Sequence, residues 1–317
     1  MGTDLRAYQT TVATDIHLSG VGVHSGQPSN ITLRPAEPNV GVVFRRKMSG
    51  GRIAEIPARV FEVGATDLCT VLGDPRGDFI GTVEHIMAAF SALGLDNVYV
   101  DVDCHEVPIM DGSARVFIEA VDEVGLRYHL VKRQYIRVTD VVRVELGGSW
   151  AEFSPHHGTR YEVTIDFATP LIGQQSFKGE VNGATFRQHL ANARTFGFMK
   201  DVEMLWASGH ALGSSLENSV VISDDHTVIN REGLRFSDEF VRHKTLDAVG
   251  DLALAGAQFI GCFKSYRGGH RLNSAALKAL LNNRAAYEIV ESLEERDHGV
   301  PSQFVPVAAQ AYAPWAV

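Results

Sequence analysis

The sequence predicts an α+β protein whose two halves share one order of elements, and three observations carry that prediction. Residues 11–63 read as short apolar strands separated by Pro and Gly turns, the pattern of antiparallel sheet. A helix stopped by glycine and followed within a few residues by an apolar strand then occurs twice, around Gly94 and around Gly256. The chain has 317 residues, 45% of them hydrophobic and 21% charged, which is long enough for two cores and far from a disordered composition.

In order, strands are expected at Asn30-Ile31-Thr32-Leu33 and Gly41-Val42-Val43-Phe44, a helix over 82–93, an alternating strand over 97–102 and a helix over 113–124. The basic cluster Val131-Lys132-Arg133 precedes new strands at 135–138 and 141–146, so a boundary is placed near residue 131, giving domains 1–131 and 132–299. The second half continues with a strand over 161–167, helices over 184–193 and 238–255 and a strand over 258–263. Residues 196–225 interrupt this order with Gly, Ser and apolar residues and read as an insertion carrying a small helix over 201–207, a natural ligand wall. Residues 300–317 form an apolar, Pro-broken tail, read as a docked strand or a loose end.

The net charge of -9 argues against a protein that coats nucleic acid or an anionic membrane. Cys69, Cys104 and Cys262 are odd in number and lie far apart, so neither a disulfide framework nor a thiolate metal site is indicated, and a reducing cytoplasm is the expected location. The start of the chain lacks a basic region followed by an apolar core, and the apolar run 252–263 is too short to cross a bilayer. No integral membrane contact is expected.

The most informative chemistry lies in the second of the two glycine-stopped helices. Helical spacing sets His243, Asp247 and Asp251 on one face, with His243 and Asp247 one turn apart and able to grip one divalent ion. An ordinary i, i+4 ion pair has the same spacing, but Glu84-His85 opens an otherwise apolar helix, and such a pair is expensive to bury without partners. A hydrolytic zinc site takes three nitrogen or oxygen ligands and leaves a fourth position to water; His85, His243 and Asp247 supply that set. Glu84, beside a ligand in sequence, is the simplest general base, although an acid in a first helical turn is also favoured by the helix dipole. His270 follows Gly268-Gly269, read as a flexible loop that presents an imidazole, with Asp251 able to hold it cationic. Thr195 offers a hydroxyl to an oxyanion and Lys244 a charge to phosphate or carbonyl; a turn hydroxyl and a solvated lysine are the plainer readings.

These residues sit in motifs that resemble the UDP-3-O-acyl-N-acetylglucosamine deacetylases of lipid A biosynthesis, the LpxC family. The motifs are Gly20-Val21-Gly22-Val23-His24-Ser25-Gly26, Thr82-Val83-Glu84-His85, Val107-Pro108-Ile109-Met110-Asp111-Gly112-Ser113, and segments 193–199, 234–251 and 269–270. The resemblance implies two similarly folded domains, each a sheet packed with helices in a β-α-α-β sandwich, facing one another across the active site. It implies a zinc amidase, with Fe2+ as another possible ion, acting in the cytoplasm of a Gram-negative cell as a monomer on a UDP-linked acylated amino sugar. By the same resemblance His85, His243 and Asp247 hold the metal, Glu84 is the general base, His270 the general acid or oxyanion partner, and Asp251 orients His270. Thr195 matches the oxyanion threonine, Phe196 the phenylalanine packed on the sugar, and Lys244 the family lysine. Leu18, His24, Cys69, Met204, Leu212 and Arg267 are expected to touch substrate, and the insertion to form the passage for the 3-O-acyl chain.

Two departures accompany the likeness. Ser149 stands beside Trp150 where some relatives carry a lysine, leaving Arg267 or Lys264 to meet the diphosphate; Asp67 puts a charge in a loop that can be apolar. Competing motifs fail on spacing: the third glycine of 20–26 is one residue late for a dinucleotide fingerprint, no Walker lysine follows a glycine run, and no His-Glu-x-x-His is present. A different zinc hydrolase is the first alternative; a scaffold clamped by a structural cation is the second, weakened because structural zinc sites are closed by four ligands.

Overall fold

The computed structural model describes residues 7–291. The architecture is α+β, with six α-helices among the described residues: α1 (Glu84–Leu93), α2 (Arg115–Val124), α3 (Gly183–His189), α4 (Met199–Ala207), α5 (Glu239–Ala253) and α6 (His270–Asn282). A five-stranded sheet runs in the spatial order Ile16–Val21, Pro28–Pro35, Val98–Val102, Val42–Lys47 and Ile53–Pro57. Its neighbours are antiparallel except for the central pair, in which Val42–Lys47 lies parallel to Val98–Val102. Burial of Ile31, Leu33, Phe44, Val98 and Val100 on one face follows the period-2 alternation of the strands.

The seven-stranded sheet of the second half is organised around Gln258–Tyr266, which pairs in parallel with Gln134–Val138 and Thr159–Asp166 and antiparallel with Ser149–Ser154. The strands of the two large sheets do not pair with each other among the described residues. Each half contains a helix, strand and helix in succession: α1, Val98–Val102 and α2 in the first, and α5, Gln258–Tyr266 and α6 in the second. The expected tail 300–317 lies outside the described residues.

The halves meet through α1 and α5. Both helices are buried along nearly their whole length, so neither is a surface amphipath, and together they carry one continuous apolar core from Phe44 and Val100 to Phe153 and Phe263. Their backbones touch at Gly250, where an added Cβ would lie 1.9 Å from the Glu84 carbonyl oxygen. Only glycine permits that approach. α1 stops at Gly94, whose φ of 66° is left-handed, and the chain turns directly into the central strand of its sheet.

Two sequence expectations need correction. The spacing gave no helix after Gly269, yet α6 begins at His270; Leu272, Ala276, Leu277 and Leu280 form its buried stripe, at the spacing of a helix face. His270 therefore sits on the first turn of a packed helix, not on a flexible loop. The helix expected over 184–193 ends at His189, because Leu190 leaves helical geometry. The insertion has more order than its composition implied: Phe196–Phe198 and Val220–Ile222 pair in parallel on either side of α4.

Candidate metal centre and catalytic site

His85 comes from the first turn of α1, and His243 and Asp247 from successive turns of α5, so the contact at Gly250 brings them together. Their ligand atoms all lie within 4.8 Å of one another, and all three residues are buried. Asp247 Oδ1 lies 3.3 Å from His243 Nε2 and 3.6 Å from His85 Nε2, yet it makes no hydrogen bond. A buried carboxylate oxygen facing two imidazole nitrogens without a bond is an unmet charge, and a divalent cation among these three donors satisfies it. The donor set fits a metal. His243 Nδ1 is 3.1 Å from the Ala193 carbonyl, which can only accept, so this nitrogen carries the proton and Nε2 keeps its lone pair free. Burial pushes the His243 imidazole down to about 3, so it is neutral, as a metal ligand must be. Asp247 is held well below the usual carboxylate range: burial opposes its charge, and neighbouring positive charge, that of the Lys244 ammonium included, outweighs burial. Lys244 Nζ donates to Asp247 Oδ2 at 3.0 Å.

Beside this trio lie the Glu84 carboxyl and the His270 imidazole. Burial pushes the Glu84 carboxyl up, partly opposed by His270 and His85, while one of its oxygens accepts from the Thr70 amide at 3.0 Å. The other oxygen is 3.8 Å from His270 Nε2. Burial alone would lower the His270 imidazole, but Asp251 and Glu84 more than reverse it and raise the group to about 9. Asp251 is itself fixed: Oδ2 accepts from His270 Nδ1 and Asn273 Nδ2, both at 2.9 Å, and Oδ1 accepts from Thr70 Oγ1 at 2.6 Å. Thr70 thus touches both carboxylates, one from each half. Neither Thr70 nor Asn273 stood out in the sequence.

A cavity of about 350 Å³ joins these groups. Glu84, His85, His243, Asp247, Lys244, His270 and Thr195 stand at one part of its wall; Phe196, Phe198, Val202, Leu205, Trp206 and Val221 of the insertion line another. Phe196 packs edge-on against Phe240 and His243, and the Lys244 ammonium lies 5.7 Å from its ring centre. His24 also borders the cavity, whereas Leu18, Cys69, Met204, Leu212 and Arg267 lie outside its wall. Leu18 packs against the core and Cys69 is buried. On α4, Val202, Leu205 and Trp206 share the face turned to the cavity, and Met204, on another face, is 65% exposed. Leu212 packs beside Gly26, and the Arg267 amide donates to the Thr164 carbonyl.

The family profile described as LpxC, UDP-3-O-acyl N-acetylglycosamine deacetylase, matches residues 9–282. Proteins called UDP-3-O-acyl-N-acetylglucosamine deacetylase from Brucella ovis and from Brucella abortus (strain S19) are each 58% identical over 288 residues, covering 91% of this chain and 100% of theirs. A protein of the same name from Brucella melitensis biotype 2 matches to the same extent. The chain belongs to the LpxC family.

Its two departures from the LpxC pattern can now be located. Ser149 opens a strand opposite Leu146, and the neighbouring Trp150 is covered by the Arg143 guanidinium, 4.2 Å from the ring centre. Asp67 is exposed, next to Leu68, which borders the cavity. The three cysteines are free and buried, and no described helix is long and apolar enough to cross a membrane.

Proposed function

We propose that this LpxC family member hydrolyses the N-acetyl group of UDP-3-O-acyl-N-acetylglucosamine, giving acetate and the free glucosamine amine, in the lipid A synthesis of a Gram-negative cytoplasm. The observation that carries the reading is the unbonded Asp247 Oδ1 between two imidazoles, with Glu84 and His270 on the same cavity wall. Zinc held by His85, His243 and Asp247 would supply Lewis acidity toward the acetyl carbonyl and toward water; Fe2+ suits the same donors.

The chain's own groups divide the remaining work. Glu84, its basicity raised by burial, takes a proton from the water that attacks the carbonyl carbon. The Thr195 hydroxyl donates to the oxygen on which negative charge develops, and cationic His270 supports it before giving its proton to the amine as the carbon–nitrogen bond breaks. Asp251 is the residue that keeps His270 charged and turned. Lys244 fixes Asp247 Oδ2 and presents positive charge toward the substrate, while Phe196 gives the sugar a flat apolar surface. The 3-O-acyl chain occupies the insertion side of the cavity, among Val202, Leu205 and Trp206.

The two sheets with their helices are proposed as two domains divided near residue 131, with the chemistry at their junction and the protein acting as a monomer. Acetate release from the UDP-linked substrate tests the activity: Glu84→Ala should retain metal and lose turnover. Retained turnover would refute the assignment, whereas a structural cation clamp predicts no wild-type acetate release.

A further inference from the structure

Glu106 lies outside the metal centre and the Glu84 and His270 pair, yet its buried carboxylate joins two segments that border the cavity, at His24 and at Thr82. Oε1 accepts from the His24 amide and from Thr82 Oγ1, both at 2.9 Å, and Oε2 accepts from the Ser25 amide at 2.8 Å. The space is built for it: a Cβ on Gly22 would fall 2.2 Å from Oε2. Each contact leads toward the site. Thr82 holds a left-handed φ of 57°, rare for a β-branched residue, two positions before Glu84 and three before His85. His24 borders the cavity, and its loop holds the middle of the insertion through bonds from the Leu212 amide to the His24 carbonyl (3.1 Å) and from the Gly213 amide to the Val23 carbonyl (3.0 Å).

We propose that Glu106 is a positioning residue: its carboxylate locks Thr82 in the left-handed turn that aims Glu84 and His85, and it fixes the 22–25 loop against which the insertion closes. An ionised carboxylate suits this task because it accepts from several donors at once, whereas an amide at the same place must present an NH2 group to backbone N–H or hydroxyl donors. Burial opposes the charge, and the bonds from the His24 and Ser25 segments outweigh it, so the Glu106 carboxyl lies below its ordinary value. The backbone strain at Thr82 persists only while its surroundings hold it.

The test uses the full chain and the variants Glu106→Gln, Thr82→Val and the double variant, with zinc affinity by chelator competition, thermal midpoint, and kcat and KM for deacetylation. The turnover readout rests on the reading in Proposed function; the zinc readout does not. Glu106→Gln should weaken zinc binding by about 10-fold or more, as loss of groups that orient metal ligands does. It should lower kcat by a similar factor, with KM changed less than about threefold, because misaimed ligands affect the reacting groups more than substrate binding. Thr82→Val keeps the branch and removes the hydroxyl, so it should act in the same direction, and the double variant should fall well short of the product of the single effects. If Glu106→Gln fails to fold, Thr82→Val alone decides, since near-wild-type zinc affinity there would overturn the proposal. Independent effects of the two changes, or a fall in thermal midpoint with unaltered zinc affinity and kcat, would also overturn it. A wild-type protein that binds zinc but releases no acetate would sink the deacetylase reading and leave Glu106 to be judged on zinc affinity.

Discussion

Asp251 Oδ2 accepts a hydrogen bond from His270 Nδ1 at 2.9 Å, and this contact decides the charge of the imidazole. The folded value of about 9 lies above the ordinary 6.5. The stabilisation is therefore complete below about pH 6.5 and fades as pH rises through about 9. NMR titration of the metal-free protein should find His270 protonated well above neutrality. In Asp251→Asn the value should drop by at least about one unit, with the basic limb of the kcat profile moving to lower pH. An unmoved limb would remove Asp251 from the tuning of His270.

Glu84 makes no contact shorter than 3.8 Å with His270 and is absent from the donor trio, so its loss should spare the metal. Glu84→Ala is expected to keep zinc stoichiometry while kcat falls by about 10²- to 10⁴-fold, the usual worth of a general base. Loss of zinc from this variant would make Glu84 a ligand instead.

Removal of metal should expose the unmet charge at Asp247. Chelation is expected to abolish turnover and lower the thermal midpoint, because an ion bound only by the folded chain at 100 times its Kd stabilises by about 2.7 kcal/mol. Zinc returned in slight excess should restore both, and His243→Ala should show neither response. A midpoint indifferent to chelator would contradict the site.

The apolar wall of the insertion should read chain length. Each methylene withdrawn from water is worth about 0.8 kcal/mol, close to fourfold in kcat/KM while room remains. Substrates of graded acyl length should show this slope and then a plateau. Leu205→Trp should bring the plateau to shorter chains while leaving zinc affinity unaltered, and identical profiles for both proteins would place the acyl chain elsewhere.

Arg194, beside Thr195, is 2% exposed at its side chain. It donates to Glu239 at 2.9 Å and to Glu232 at 2.7 Å. Glu239 is wholly buried, so Arg194→Met should lower unfolding free energy by about 3–5 kcal/mol by stranding that carboxylate. Denaturant titration gives the value; a change below about 1 kcal/mol would show that the pair is replaceable.

The sequence disclosed the groups whose spacing is local and concealed those joined only by folding. His243 and Asp247 were visible because a helix repeats every turn, and Glu84-His85 because two polar groups opened an apolar helix. Thr70, Asn273 and Glu106 were invisible, since each acts through a bond to a residue distant in the chain, such as the Thr70 to Asp251 bond. α6 is hidden in the sequence because Gly268-Gly269 reads as a turn and masks the apolar stripe that begins at Leu272. On α4 the composition pointed to the helix as a whole, whereas which of its side chains face the cavity, Val202 and Leu205 and not Met204, depends on the rotation of that helix about its axis.

At Gly250 the two helices touch backbone to backbone, so the His85, His243 and Asp247 trio is assembled by main-chain geometry, whereas the apolar wall of the cavity is built from side chains of a separate segment. Exchanges in that segment can reshape the cavity without moving the trio, while a single methyl group at Gly250 would press on the Glu84 carbonyl and shift all three donors together.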